Sequence, residues 1–385
     1  MDVKKAADST IDDTELSKNL EDLTVDDSHE TKAANGKKRK NHRGGQKKRQ
    51  KDGQTSSQGA APVKLYEVRE TGSKGLGVFA KCAIPRGTRI MCEPALLYIE
   101  TAYMQFMHIL FYKLSPADQA KFLSLHGIFP KAQKTIMEKV LRTFKAEDPM
   151  LFAPPIEDHL RIMAVVKSNS CRTHNGVAIP YDLGRINHSC LPNVHHVWNN
   201  MIERATVHAV QDIAAGQELL TTYIEFCQPR AQRQSYLLQR WGFRCGCQAC
   251  KPSSTFGKAS EKRRKRLSDI RKFLESRKHI TSMKARTSDE TALAAAIEFA
   301  ELLQEEGIHN MELATAYEDV ANINLNLGNP KVAGEWQGRA MEVAAACAGT
   351  DYDTYSESEA TMAKIQQLMS QGQARKPSDL PPVDG

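Results

Sequence analysis

Gly184-Arg185-Ile186-Asn187-His188-Ser189-Cys190-Leu191-Pro192-Asn193-Val194 is the stretch on which the reading of this chain turns, taken with Cys245-Gly246-Cys247-Gln248-Ala249-Cys250 further on. Three thiols spaced C-x-C-x-x-C can be aimed at one tetrahedral ion by a single backbone turn, a use that suits reduced cysteines better than burial as inert apolar residues. A tetrahedral site needs a fourth ligand. Cys190 is the best candidate, because the polar, turn-forming run around it is built to hold a loop rather than a core. One structural zinc on Cys190, Cys245, Cys247 and Cys250 then ties two distant segments together, and four thiolates leave no open position for water or substrate.

Working outward, the chain carries Lys74-Gly75-Leu76-Gly77-Val78-Phe79-Ala80 before this stretch and Gly216-Gln217-Glu218-Leu219-Leu220-Thr221-Thr222-Tyr223 after it. In that order, and ending on the cysteine cluster, the four pieces resemble the SET-domain protein lysine methyltransferases. The resemblance spans about residues 63–252 and, more loosely, a helical tail similar to that of the SET-and-MYND branch and its fungal relatives. The MYND zinc finger of that branch is missing, since no cysteine lies between Cys92 and Cys171.

What the resemblance implies is specific. S-adenosyl-L-methionine is the cofactor, contacted by Lys74, Gly75, Leu76, Asn169, Asn187, His188, Tyr223 and Phe243. Tyr223 is the catalytic residue, and with Trp241 it lines the substrate lysine channel. At Cys171, two places beyond Asn169, the chain departs from the family, which keeps an aromatic there. The reaction asks mainly for alignment of a neutral amine against a sulfonium methyl. Read without the family, Tyr223 is a strand tyrosine with a satisfied hydroxyl, and Asn187-His188 is a turn.

The pattern of elements is α+β: short strands joined by turns, with helices grouped in insertions. Leu65–Arg69 alternates as a strand and enters a glycine turn at Gly72, Gly75 and Gly77; a second strand covers Leu76–Ala80, and the apolar run Ile90–Ile99 follows. Residues 101–166 are a helical insertion, with Ser115-Pro116 as cap and first position. Val165–Ser170 reads as a strand carrying Asn169, and Ala205–Ala209 and Glu218–Ile224 as two more. Gln228–Trp241 is an amphipathic helix leading into the zinc segment at 241–252.

Residues 253–289 form a basic linker or helix with the run Lys262-Arg263-Arg264-Lys265-Arg266, readable as an import signal or as a solvated basic face. Residues 290–372 are helical, with Ala314, Tyr317, Ala321, Leu327-Gly328 and Ala340 spaced as in a tetratricopeptide-like hairpin that packs on the SET core as a lid. Residues 373–385 are a disordered tail.

Residues 1–60 have almost no large apolar side chains and are expected to be disordered. Their charge is segregated: residues 1–30 hold ten acids and three bases, and residues 36–51 hold nine Lys or Arg and no acid. The basic block suits nuclear import or electrostatic contact with nucleic acid. The whole chain, 385 residues with 41% hydrophobic and 26% charged, holds one sizeable core plus a smaller domain, and its formal net charge is +7. No run approaches the length of a membrane span, and the start has no signal-peptide pattern. Nine cysteines, an odd number, fit reduced thiols and a metal site. Together with what the resemblance implies, these features give the expectation of a monomeric nuclear enzyme, with the cytoplasm as a second compartment, acting on a protein substrate with histone tails as the first class to try. The competing reading is a non-catalytic SET scaffold or reader in a chromatin complex.

Overall fold

The computed structural model describes residues 64–150, 152–278 and 289–374. The expected charged tail, its basic block, residues 279–288 of the basic linker and residues 375–385 of the C-terminal tail lie outside the described residues, while residues 373 and 374, expected in that tail, are helical.

Three small sheets form the centre. Strands β1 (Tyr66–Glu70) and β2 (Leu76–Ala80) make an antiparallel hairpin, as alternation around a glycine turn predicts. This hairpin continues through β10 (Glu218–Thr221) to β7 (Asn187–His188). The second sheet is β3 (Arg89–Glu93), β9 (Arg204–Ala209) and β8 (Val194–Asn199). The third is β4 (Leu97–Glu100), β6 (Gly176–Ile179) and β5 (Cys171–Arg172). The apolar run Ile90–Ile99 therefore splits between two sheets. Val78, Ile84, Ile186, Val207, Ile213 and Leu219 fill the space among the sheets, each at most 2% exposed. The parallel pairing of β7 with β10, Leu220 opposite Asn187 and Thr221 opposite His188, brings the two central motifs side by side.

The insertion is helical and longer than its periodicity suggests. A 3-10 turn (Thr101–Phe106) leads to α1 (Met107–Tyr112), α2 (Pro116–Ser124), α3 (Lys131–Glu147) and α4 (Ile156–Asn169). Ser115 caps α2, its hydroxyl accepting from the Asp118 amide, with Pro116 at the first position. The strand expected at Val165–Ser170 is instead the last turns of α4. Leu160, Met163, Val165 and Val166 bury against the insertion core, so tertiary packing overrides the β preference of two adjacent valines.

Beyond β10 come α5 (Arg230–Trp241) and α6 (Thr255–Lys278), with a 3-10 turn at Gln248–Cys250 between them. Then follow α7 (Asp289–Glu306), α8 (Met311–Asn326), α9 (Pro330–Ala348) and α10 (Asp353–Ala374). Ala314, Ala316, Ala340 and Ala344 are buried in this helical core, small side chains that let neighbouring helix backbones approach closely. The region rests on the β3-β9-β8 sheet and the turns beside it: Arg86 meets Glu342 at 3.1 Å, Asn199 donates to the Asp351 carbonyl and Asn200 to the Asp353 carboxylate. Its core also takes in Phe226 and Cys227, just after Tyr223. No helix among the described residues is long and apolar enough to cross a membrane.

The basic run 262–266 is split: Lys262, Lys265 and Arg266 are exposed, as on a solvated face, whereas Arg263 and Arg264 turn inward. Arg264 is fully buried and pairs with the fully buried Glu306 at 2.8 Å; Arg263 meets the same carboxylate at 2.7 Å, and Arg266 bonds Glu298.

Candidate functional site: a clamped tyrosine beside a four-cysteine cluster

Tyr223 stands where β7 and β10 end together. Its backbone N–H donates to Nδ1 of His188 at 3.0 Å, and its hydroxyl donates to the Ile186 carbonyl at 2.6 Å. Both ends of the residue are held by the loop of the central motif. Burial, with the charge of Glu218 adding to it, keeps the phenol well above its ordinary pKa. Because the hydroxyl spends its proton on Ile186, its lone pairs remain free to accept from an amine. Around it stand the rings of Trp241 at 5.1 Å, His188 at 5.3 Å and Phe243 at 6.4 Å. Trp241 is buried and points its indole N–H at the Ser168 carbonyl. Gly242, at φ +77°, ends α5 in the left-handed conformation that favours glycine, turning the chain from Trp241 toward the cysteines.

His188 is buried, and burial pushes its pKa down to about 3, so the ring is neutral. Since Nδ1 accepts from Tyr223, the proton sits on Nε2, which faces the Cys190 sulfur at 3.4 Å. One imidazole thus links the tyrosine to the cysteine cluster.

The Sγ atoms of Cys190, Cys245, Cys247 and Cys250 lie within 4.8 Å of one another. Cys190 approaches Cys250 at 3.5 Å and Cys245 at 3.9 Å. A zinc–sulfur distance of about 2.3 Å places tetrahedral ligands about 3.8 Å apart, so the spacing fits zinc. Contact with Cys190 holds the Cys250 thiol far down, with Arg233 adding to it, while contact with Cys245 pushes Cys190 up. Arg233, fully buried, reaches Cys250 at 3.6 Å and the Ala249 carbonyl, and Gln234 exchanges two bonds with the backbone of Cys245. Motif spacing carries no sign of these two supports, since they come from α5.

On the other side of β7, Asn187 donates from Nδ2 to the Leu76 carbonyl at 3.1 Å and to Glu218 Oε1 at 2.9 Å. Lys74 pairs with Glu218 Oε2 at 2.7 Å. A Cβ on Gly77 would lie 2.5 Å from Thr71 Cγ2 and 2.9 Å from both Asn187 Nδ2 and Glu218 Oε1, so any larger residue would have to displace these side chains. Lys74, Gly75 and Leu76 are exposed along the rim, and space beside Gly75 is open. Asn169, at the end of α4, donates from Nδ2 to the carbonyls of His126 at 2.6 Å and Val165 at 2.8 Å, leaving Oδ1 free of these bonds. The structure thus gathers Tyr223, His188, Phe243 and Trp241 around one ring cluster. Lys74, Leu76 and Asn187 form a second group around Glu218, a residue that reading by motif passed over.

Residues 75–224 match the family model described as "SET domain". The chain is 32% identical over 210 residues to Histone-lysine N-methyltransferase set5 of Schizosaccharomyces pombe, a match covering 54% of this chain and 56% of that protein. It is 40% identical over 78 residues to human N-lysine methyltransferase SMYD2, covering 20% of this chain and 18% of that protein. The chain thus spans about half the length of the first relative and less of the second. Among solved structures, the SET domain of LSMT bound to lysine and AdoHcy overlaps 81% of this chain and 89% of its own at 12% identity, with a TM-score of 0.35.

Proposed function

We propose that this chain, in which residues 75–224 belong to the SET-domain family, is a protein-lysine N-methyltransferase dependent on S-adenosylmethionine. The observation that carries this is the double clamp on Tyr223, with its N–H on His188 and its hydroxyl on the Ile186 carbonyl. Such a hydroxyl is fixed in place before any substrate arrives. When bound, the cofactor supplies a methyl group on a sulfonium. Lys74, Gly75, Leu76, Asn169, Asn187, His188, Tyr223 and Phe243 would hold it, the exposed glycine rim leaving open space for its approach.

Tyr223 and Trp241 provide the walls for the substrate side chain. A lysine ammonium, with an ordinary pKa near ~10.4, loses water on entering this aromatic surround, which favours the neutral amine. The Tyr223 oxygen then accepts from that amine and orients its lone pair, while the raised pKa keeps the phenol protonated at neutral pH. Zinc would sit on Cys190, Cys245, Cys247 and Cys250 with its shell filled, fixing the Phe243 segment to the β7 loop rather than entering the reaction.

Histone tails are the first substrate class, because the set5 relative is named for histone lysine. Nuclear placement belongs to the same proposal. The test is labelled-methyl transfer from S-adenosylmethionine into nuclear and cytosolic extracts, with mass spectrometry of the labelled proteins. Lysine label that disappears with Tyr223→Phe supports the enzyme; cofactor binding without any transfer favours a scaffold.

A further inference from the structure

Glu218 opens β10 opposite Phe79 of β2, and its carboxylate spans two separate pieces of chain. Oε2 takes Lys74 of the glycine rim at 2.7 Å, and Oε1 takes the Asn187 amide at 2.9 Å. The side chain is 16% exposed, so solvent competes little for either bond. Asn187 Nδ2 has two hydrogens, and both are committed, one to Glu218 and one to the Leu76 carbonyl. Rotating the amide by half a turn would set Oδ1 against two oxygens and forfeit both bonds. The amide therefore has one orientation, imposed chiefly by a carboxylate that cannot donate.

We propose that Glu218 is a positioning residue that fixes the Asn187 amide so that only its Oδ1, an acceptor, is offered to the bound cofactor, selecting for a donor such as the α-ammonium group. The inference rests on the cofactor reading above. Gly77 supports it independently, since its missing side chain clears the space that the Asn187–Glu218 contact occupies. Lys74 completes the arrangement by holding the second carboxylate oxygen, which prevents Glu218 from swinging away.

The test compares two ligands by calorimetry on the full chain: S-adenosylhomocysteine, and its analogue with hydrogen in place of the α-amine. Glu218→Ala is expected to weaken the first by about tenfold or more and the second by less than about twofold, the size of one lost charged hydrogen bond. Glu218→Gln has one oxygen for two donors, which Lys74 claims, so the loss should be recovered only when it is combined with Lys74→Met. Lys74→Met, which leaves the Asn187 contact in place, should cost less than Glu218→Ala. If Glu218→Ala fails to fold, Glu218→Asp carries the same comparison, keeping the charge but withdrawing it by one methylene. Equal losses for both ligands, or no loss, overturn the positioning role while leaving the cofactor reading intact. Wild-type protein that binds neither ligand overturns both.

Discussion

The buried guanidinium of Arg264 donates from Nη2 to the main-chain carbonyl of Cys190 at 2.6 Å. Its other nitrogens reach the Phe226 carbonyl and Glu306, so one side chain joins the metal loop, the segment after Tyr223 and the helical region. Glu306, also held by Ser260 and Arg263, is what makes burial of this charge tolerable. Glu306→Gln strands it, and a stability loss of about 3–5 kcal/mol is expected in denaturant unfolding. A chromogenic chelator should also extract zinc faster from the variant. An unchanged midpoint removes the network from the stability argument.

Cys247→Ser, or strong chelation, is expected to release about one equivalent of zinc per chain and loosen residues 245–250, because a tetrahedral site with three thiolates is open. Cofactor affinity falls with it through Phe243. Metal analysis of the wild type settles the premise, and protein purified without zinc contradicts it.

Tyr223→Phe removes a hydroxyl and almost no volume. Losing its bond to the Ile186 carbonyl should cost about 1 kcal/mol of stability, whereas methyl transfer should fall by roughly 10²-fold. Since burial and Glu218 raise the phenol pKa, wild-type turnover should show no tyrosine ionisation as pH rises through its ordinary value near 10. Turnover in the phenylalanine variant equal to wild type would remove Tyr223 from the chemistry.

Asn169→Asp keeps the shape and places an oxygen where Nδ2 now serves the His126 and Val165 carbonyls. Two acceptors then face an acceptor at the end of α4, and about 1–3 kcal/mol should be lost. Thermal melting measures this; a variant as stable as the wild type shows that these two bonds contribute nothing.

Removing residues 1–60 should leave turnover of a short lysine peptide nearly unchanged and weaken binding to nucleosomes at low salt, since nine clustered cations act through screened electrostatics. Comparing both substrates at two ionic strengths checks it. Equal loss on peptide would assign the tail to the active site.

Much of this protein is written locally. Alternation around Gly72–Gly77 specifies the β1–β2 hairpin, Ser115-Pro116 starts a helix, and C-x-C-x-x-C sets three ligands within one turn of chain, because each depends on neighbours a few residues away. What the sequence alone misreads depends on partners far along the chain. Two valines before Lys167 favour a strand in isolation, yet their burial against the insertion core makes them helix. Lys262–Arg266 has the composition of a solvated or signal-bearing run, but Arg264 is buried because Glu306, 42 residues later, supplies a compensating charge. Glu218 is one acid among 46 until the parallel pairing of β7 with β10 sets it between Lys74 and Asn187. Backbone preference and ligand spacing are short-range properties that residue order states directly. Whether a charge faces water or is buried against a partner depends on which distant segments pack together, and only the tertiary structure decides that.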